Sequence, residues 1–260
     1  YEARHRGKMI SPIKEVAAYR CVEYLKEIIP AESVVDTFLF YAGQLEFDLA
    51  QANRLLRCHT NRYVIYEFWY CMQEDPDRVA ELAKYFRDST DPISYTFLQK
   101  SWAGLKDHYV RAAIFFLLNV SSEEGYVSSG KLNLQQYSPI MLNRIKQCSF
   151  ENMRINFYKD EEFFVGTSYV EKPEYLLFPM GKFNYNLFEE GKSYGYEMTP
   201  VSHTGTKLSI DELKHNTLVL YKYHKEILKL YDGYNITMIN KYGKVTESSD
   251  HCEDLVIANF

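Results

Sequence analysis

The spacing of apolar residues changes several times along this chain, and each change marks an element. Val16, Ala17, Tyr19, Tyr24, Leu25 and Ile28 follow helical spacing and Pro30 ends the run, which predicts a helix over 12–28. Residues 33–39 switch to a β-branched apolar run suited to a buried strand. A helix over 44–54, a strand over 55–58 and a helix over 62–73 follow. From 76 to 119 the pattern is helical, with Asp75-Pro76 and Asp91-Pro92 placing proline in the first turn of two helices. A third spans 107–119, with Val110, Ala113, Phe116 and Leu117 on one side. Turn residues at 121–125 and 128–130 bracket a hairpin-like segment, and 137–148 is helical again. Strand patterns return at 153–158, 175–178, 217–221, 236–239 and 255–258, with a helix over 224–231 and a long loop over 181–209. The expected architecture is an α/β sheet core built from 1–73 and 151–260, interrupted by a helical insertion over 74–150.

Composition narrows the function classes. Hydrophobic residues make up 46% of the 260, enough for a substantial core. The formal net charge of -5 argues against strong sequence-independent binding to nucleic acid. Cys21, Cys58, Cys71, Cys148 and Cys252 are odd in number and lack paired spacing, which fits reduced thiols in a cytoplasmic setting rather than secretion. No apolar run approaches the roughly 18 residues of a membrane helix. Neither Cys58-His59 nor His251-Cys252 suits metal chelation, because neighbours on a strand point to opposite faces; no metal is expected.

A resemblance runs through almost the whole chain. Gly7-Lys8 before the first helix is one part of it, and Val34-Val35-Asp36-Thr37-Phe38 leading into a turn is another. Gln73-Glu74-Asp75-Pro76, Arg111–Asn119, Ile227–Ile236 and the closing Glu253–Phe260 complete it. In order and spacing these segments resemble the Dam-class adenine-specific DNA methyltransferases, including those of phages. The resemblance implies a Rossmann-like methyltransferase sheet, with the helical insertion corresponding to the DNA-recognition subdomain.

The chain departs from the family where the chemistry sits. The family's glycine turn, which lets S-adenosylmethionine approach the backbone, corresponds to Phe40, Tyr41 and Ala42. Lys8, Phe38, Phe40, Tyr41 and His59 therefore stand at degenerate cofactor positions, and Phe40 and Tyr41 are expected to fill the pocket. The family's Asp-Pro-Pro-Tyr motif holds the adenine amino group and stacks on the flipped base. Phe178, Pro179, Met180 and Gly181 stand in its place, so no catalytic residue is expected; Phe183 and Tyr185, just downstream, are candidates for stacking alone. In the insertion, Lys131 and Arg111 are weak candidate DNA contacts, set against Glu123 and Glu124.

These departures point to a non-catalytic binding or structural subunit that works through protein partners, a phage or viral assembly being one setting. A DNA-binding pseudoenzyme and a divergent active methyltransferase are the alternatives. No cofactor is expected, except S-adenosylmethionine in the active case, and no membrane. DNA affinity should be weak and unselective at about 0.15 M salt. A gel-shift titration across salt concentrations checks this, and tight, site-selective binding would contradict it.

Overall fold

The computed structural model describes residues 7–15, 17–158, 172–183, 196–197 and 201–260. The β-branched run after Ser33 forms β1 (Val34–Thr37), and α2 (Gln44–Gln51) carries the chain to β2 (Leu55–Thr60). Next come α3 (Tyr63–Glu74), α4 (Pro76–Ser89), α5 (Pro92–Ser101), α6 (His108–Ser121) and α7 (Ile140–Lys146). β3 (Met153–Phe157), β4 (Tyr175–Gly181), α8 (His203–Glu212) and β5 (Asn216–Lys222) return the chain to the sheet. α9 (Lys225–Leu230), β6 (Asn235–Asn240), β7 (Val245–Thr246) and β8 (Cys252–Ala258) follow. Asp75 and Asp91 accept hydrogen bonds from the first-turn amides of α4 and α5, as the Asp-Pro pairs predict.

The strands form one sheet in the order β3-β2-β1-β4-β5-β8-β6-β7. From β3 to β5 every pairing is parallel, whereas β8 runs antiparallel to both of its neighbours. The chain moves outward from β1 to β3, then returns to the other side of β1 at β4. That reversal is a topological switch point, where a crevice opens beyond the carboxyl ends of parallel strands.

Side chains on the central strands alternate between two cores. Leu177, Leu218, Leu220 and Val256 join the larger one, with helices α2, α3, α4 and α6. Leu176, Phe178, Val219, Tyr221, Leu255 and Ile257 join the smaller, with Ile210 of α8 and Ile227 of α9. The helical insertion is not a separate body with its own core. Residues 112–121 of α6 are all buried, and Phe115 meets the rings of Tyr41 and Phe68 as well as Trp102.

Two expectations need correction. The helix predicted over 12–28 is confined to α1 (Val22–Ile28). Amides before it go to distant partners: Met9 N–H to Gln51 Oε1 at 2.9 Å, Ser11 N–H to Gln44 Oε1 at 2.9 Å and Lys14 N–H to Asn119 Oδ1 at 2.7 Å. Arg20 and Cys21 donate theirs to Asp254. Local helical spacing loses to these tertiary bonds, and the segment crosses the sheet's carboxyl edge as a strap. The loop expected over 181–209 is also interrupted, because Ser202 caps α8 through a bond from Gly205 N–H at 3.1 Å. Most of the remainder of that stretch lies outside the described residues.

Asp254 is fully buried and also accepts from Lys222 Nζ. Asp254→Ala would strand two amides and leave the Lys222 ammonium only the Ala18 carbonyl and the more distant Glu253, so a loss of about 3 kcal/mol is expected. Urea unfolding checks this; a loss below about 1 kcal/mol would show that the strap does not depend on Asp254.

Candidate functional site

The switch-point crevice holds a cavity of about 240 Å³. Its walls come from the turn after β1 (Leu39, Phe40, Tyr41), the end of β2 (Thr60), Arg62, the end of β4 (Pro179, Met180, Gly181) and the strap (Glu15, Ala17, Tyr19). The floor is the start of α2, with Leu45 and Glu46; Tyr126 and Glu197 close the side toward the insertion. The volume is below the roughly 300–1,000 Å³ of pockets for drug-sized ligands, so an occupant would be small.

The wall is pinned rather than loose. Gly181 donates its N–H to the Tyr19 hydroxyl at 2.6 Å, in a stretch where β4 bulges between Pro179 and Gly181. Trp69 Nε1 donates to the Tyr41 carbonyl at 2.7 Å, and Phe40 N–H to the His59 carbonyl at 3.0 Å. Leu39 takes φ 56° and Gly43 φ 75°, so the turn after β1 enters left-handed backbone twice. For a leucine this is unusual, and such conformations concentrate at sites where surroundings over-determine the backbone. At Gly43 a Cβ would lie 2.7 Å from the Phe40 ring, which reserves that position for glycine.

Phe40 and Tyr41 do not fill the crevice. The Phe40 ring turns into the core against Trp69, with centroids 5.6 Å apart. Tyr41 packs on Phe115 and donates its hydroxyl to the Gly125 carbonyl at 3.2 Å. Phe178 faces away too: its ring stacks on Phe38 at 4.8 Å, and Phe38 stacks on His59 at 5.1 Å. His59 Nε2 lies 3.5 Å from Asp36, which pairs with Arg57 across β1 and β2. Lys8 stays outside the cavity wall and meets Asp48 at 3.6 Å. Phe183 is buried in the smaller core, and Tyr185 lies outside the described residues.

The candidate DNA contacts fare differently. Arg111 is an internal strut, with Nε donating to Glu67 Oε1 at 2.7 Å and Nη1 to the Lys106 carbonyl at 3.0 Å. That engagement removes it from a DNA-facing role. Lys131 is 80% exposed and pairs with Glu123 at 3.4 Å, beside the bridge from Ser122 to Leu132 that closes the hairpin-like loop. Among the described residues no group of three or more histidine, cysteine or acidic side chains could hold a metal ion. No described helix is long and apolar enough to cross a membrane.

Two site residues escaped the sequence, Glu15 and Glu46. The Glu46 carboxylate is buried and accepts from Thr37 Oγ1 at 2.9 Å. Desolvation lifts its carboxyl to about 7. Desolvation, with Glu46 close by, lifts Glu15 to about 8, although the amides of Gln44 and Gly43 pull it back. No periodicity marks either residue, because strap and helix meet only in three dimensions.

No protein-family model matches the chain, and no curated protein is significantly similar to it in sequence.

Both carboxyls stay protonated in the native state at pH values where the unfolded chain, with an ordinary value near 4.5, has released its protons. Stability should therefore fall as pH rises from near 4.5 toward 7 for Glu46 and 8 for Glu15. Glu46→Gln should flatten this decline. Urea midpoints for both proteins across that range check it, and parallel declines would rule out Glu46 as a source.

Proposed function

We propose that this chain is a non-catalytic relative of the adenine-specific DNA methyltransferases, in which an adenosyl-type cleft serves binding alone. The parallel strands, the crevice beyond β1 and β4, and the helical block between α3 and β3 support the kinship. They agree with the Rossmann-like sheet and the inserted subdomain that the resemblance implies.

The end of β4 carries the non-catalytic part. Methyl transfer to adenine joins the amino nitrogen to the sulfonium methyl, breaks the sulfur–carbon bond and releases a proton from the nitrogen. The base must be extruded, and its amino group held by an acceptor so that the lone pair points at the methyl. At the position expected for that acceptor, Phe178 is buried against Phe38. Pro179, Met180, Gly181 and Lys182 follow on the cleft wall, and none carries a carboxylate or carboxamide. Action through protein partners, in a phage particle or another assembly, draws support from Ile93 and Phe97. They sit one turn apart on α5 and are 84% and 71% exposed, an apolar spot suited to a contact.

The open cavity favours one second reading, a divergent active methyltransferase using acceptors other than the family's motif. A tritiated-methyl assay separates the two, with S-adenosylmethionine as donor and genomic DNA lacking adenine methylation as acceptor. No label should be incorporated by the native chain or by the Phe178→Asp, Gly181→Tyr double variant, since position 178 faces the smaller core. Label transferred by the native chain would overturn the non-catalytic reading.

A further inference from the structure

Buried carboxylates elsewhere in the chain are matched to donors. Asp36 pairs with Arg57, Glu67 with Arg111 and Asp254 with Lys222. Both Glu197 oxygens accept from Ser128, one from the amide and one from the hydroxyl, each at 2.9 Å. Glu46 breaks the pattern. It is 3% exposed, Thr37 Oγ1 donates to one of its oxygens, and it forms no ion pair among the described residues. Glu15 shares the cavity wall with it, again without an ion pair among the described residues. Carboxyls in such a place hold their protons to higher pH, because neither water nor a cation offsets the cost of ionising them. The raised values of about 7 for Glu46 and about 8 for Glu15 agree. A carboxyl that keeps its proton can donate a hydrogen bond, which a carboxylate cannot.

We propose that the switch-point cleft is a binding site for a small monocarboxylate, whose oxygens accept hydrogen bonds from the acid forms of Glu46 and Glu15 and whose charge is met by Arg62 and Lys182. The inference rests on the reading of this cleft as a place that binds without reacting, and names its ligand class; kinship with the methyltransferases does not enter. Arg62 and Lys182 line the cavity and carry donors alone. The acceptor-only side chain on the wall, Glu197, already has both oxygens engaged by Ser128. A donor-rich wall suits a ligand rich in acceptors. Leu39, Leu45, Ile65, Met180 and Val201 add an apolar surface, which favours a short hydrocarbon tail over a hydrated inorganic anion. The volume of about 240 Å³ keeps that tail short.

Other titratable groups surround the two carboxyls. Asp48, on the same helix as Glu46, pairs with Lys8, and Cys58 faces Glu46 from β2. Tyr19 on the strap and Tyr41 after β1 face Glu15, with Tyr126 and Glu197 on the insertion side of the cavity. Burial raises the Tyr19 and Tyr41 hydroxyls and the Cys58 thiol, so they keep their protons while the two carboxyls titrate. Ionising either carboxyl removes a donor and puts negative charge beside the ligand. Affinity for an anion should therefore fall as pH rises through 7 and 8.

Calorimetry of the whole chain with sodium butyrate, which is ionised throughout this range, tests the site. The native chain should bind it at about pH 6 with a Kd of about 1 mM or tighter, and at least about tenfold more weakly at about pH 9. Glu46→Gln puts an amide donor in place of the acid and has no proton to lose. It should bind butyrate with a shallower pH dependence that retains only the Glu15 step. Butylammonium, with the same tail and the opposite charge, and inorganic phosphate should each bind at least about tenfold more weakly than butyrate at about pH 6. Absence of butyrate binding at that pH, or equal affinity at both pH values, would overturn the proposal. So would butylammonium or phosphate binding as tightly as butyrate. Methyl transfer by the native chain would instead count against the non-catalytic reading, and the butyrate titration would still decide the ligand class.

Discussion

A single buried amide, Asn119 near the end of α6, sets the shape of the cleft. Its Oδ1 accepts from Lys14 N–H, and its Nδ2 donates to the Gly125 carbonyl at 3.0 Å and lies 3.4 Å from the Tyr41 hydroxyl. Strap, insertion loop and the turn after β1 thus meet on one side chain. Its sequence context, Asn119-Val120-Ser121, matches the N-glycosylation pattern, yet the side chain is fully buried and its polar atoms are engaged. An unsatisfied amide in such a place is costly, so the three segments are fixed together or not at all. Because the strap is fixed there, Glu15 lines the cavity and Tyr19 reaches Gly181.

The strength of this arrangement comes from partners rather than from local preference. The strap gives up helix for bonds to Gln44, Gln51, Asn119 and Asp254, and each of those bonds spans more than thirty residues of chain. Asp254 lies on the antiparallel strand β8. The wall of the cleft is therefore assembled from several distant parts of the sequence, and electrostatics at its floor follow from that geometry.

The strands were largely legible in the sequence, since β-branched runs bounded by turn residues give both position and length. All seven strand runs predicted are present, and β7 was missed because two residues carry no periodic signal. Helices opened by Asp-Pro were also legible, because the cap acts locally. The strap was not, as its apolar residues keep helical spacing while its amides are captured elsewhere. In the site, the directions taken by Phe40 and Tyr41 were not legible for a similar reason. Residue type indicated bulk at the pocket, but the turn after β1, left-handed at Leu39 and Gly43, decides which way the two rings face. Glu15 and Glu46 stand thirty-one positions apart and share no motif.

The place of β8 between β5 and β6 also bears on the order in which the molecule can be made. The carboxylate that holds Arg20 and Cys21 leaves the ribosome 233 residues after Cys21. Until then β6 has no neighbour through which to join the parallel strands, and one flank of the cleft has nothing to close against. Contacts of such sequence separation form late and slowly. While β8 is absent the sheet carries an open edge at β5 and the strap lacks the carboxylate that anchors it, and both are completed when β8 docks.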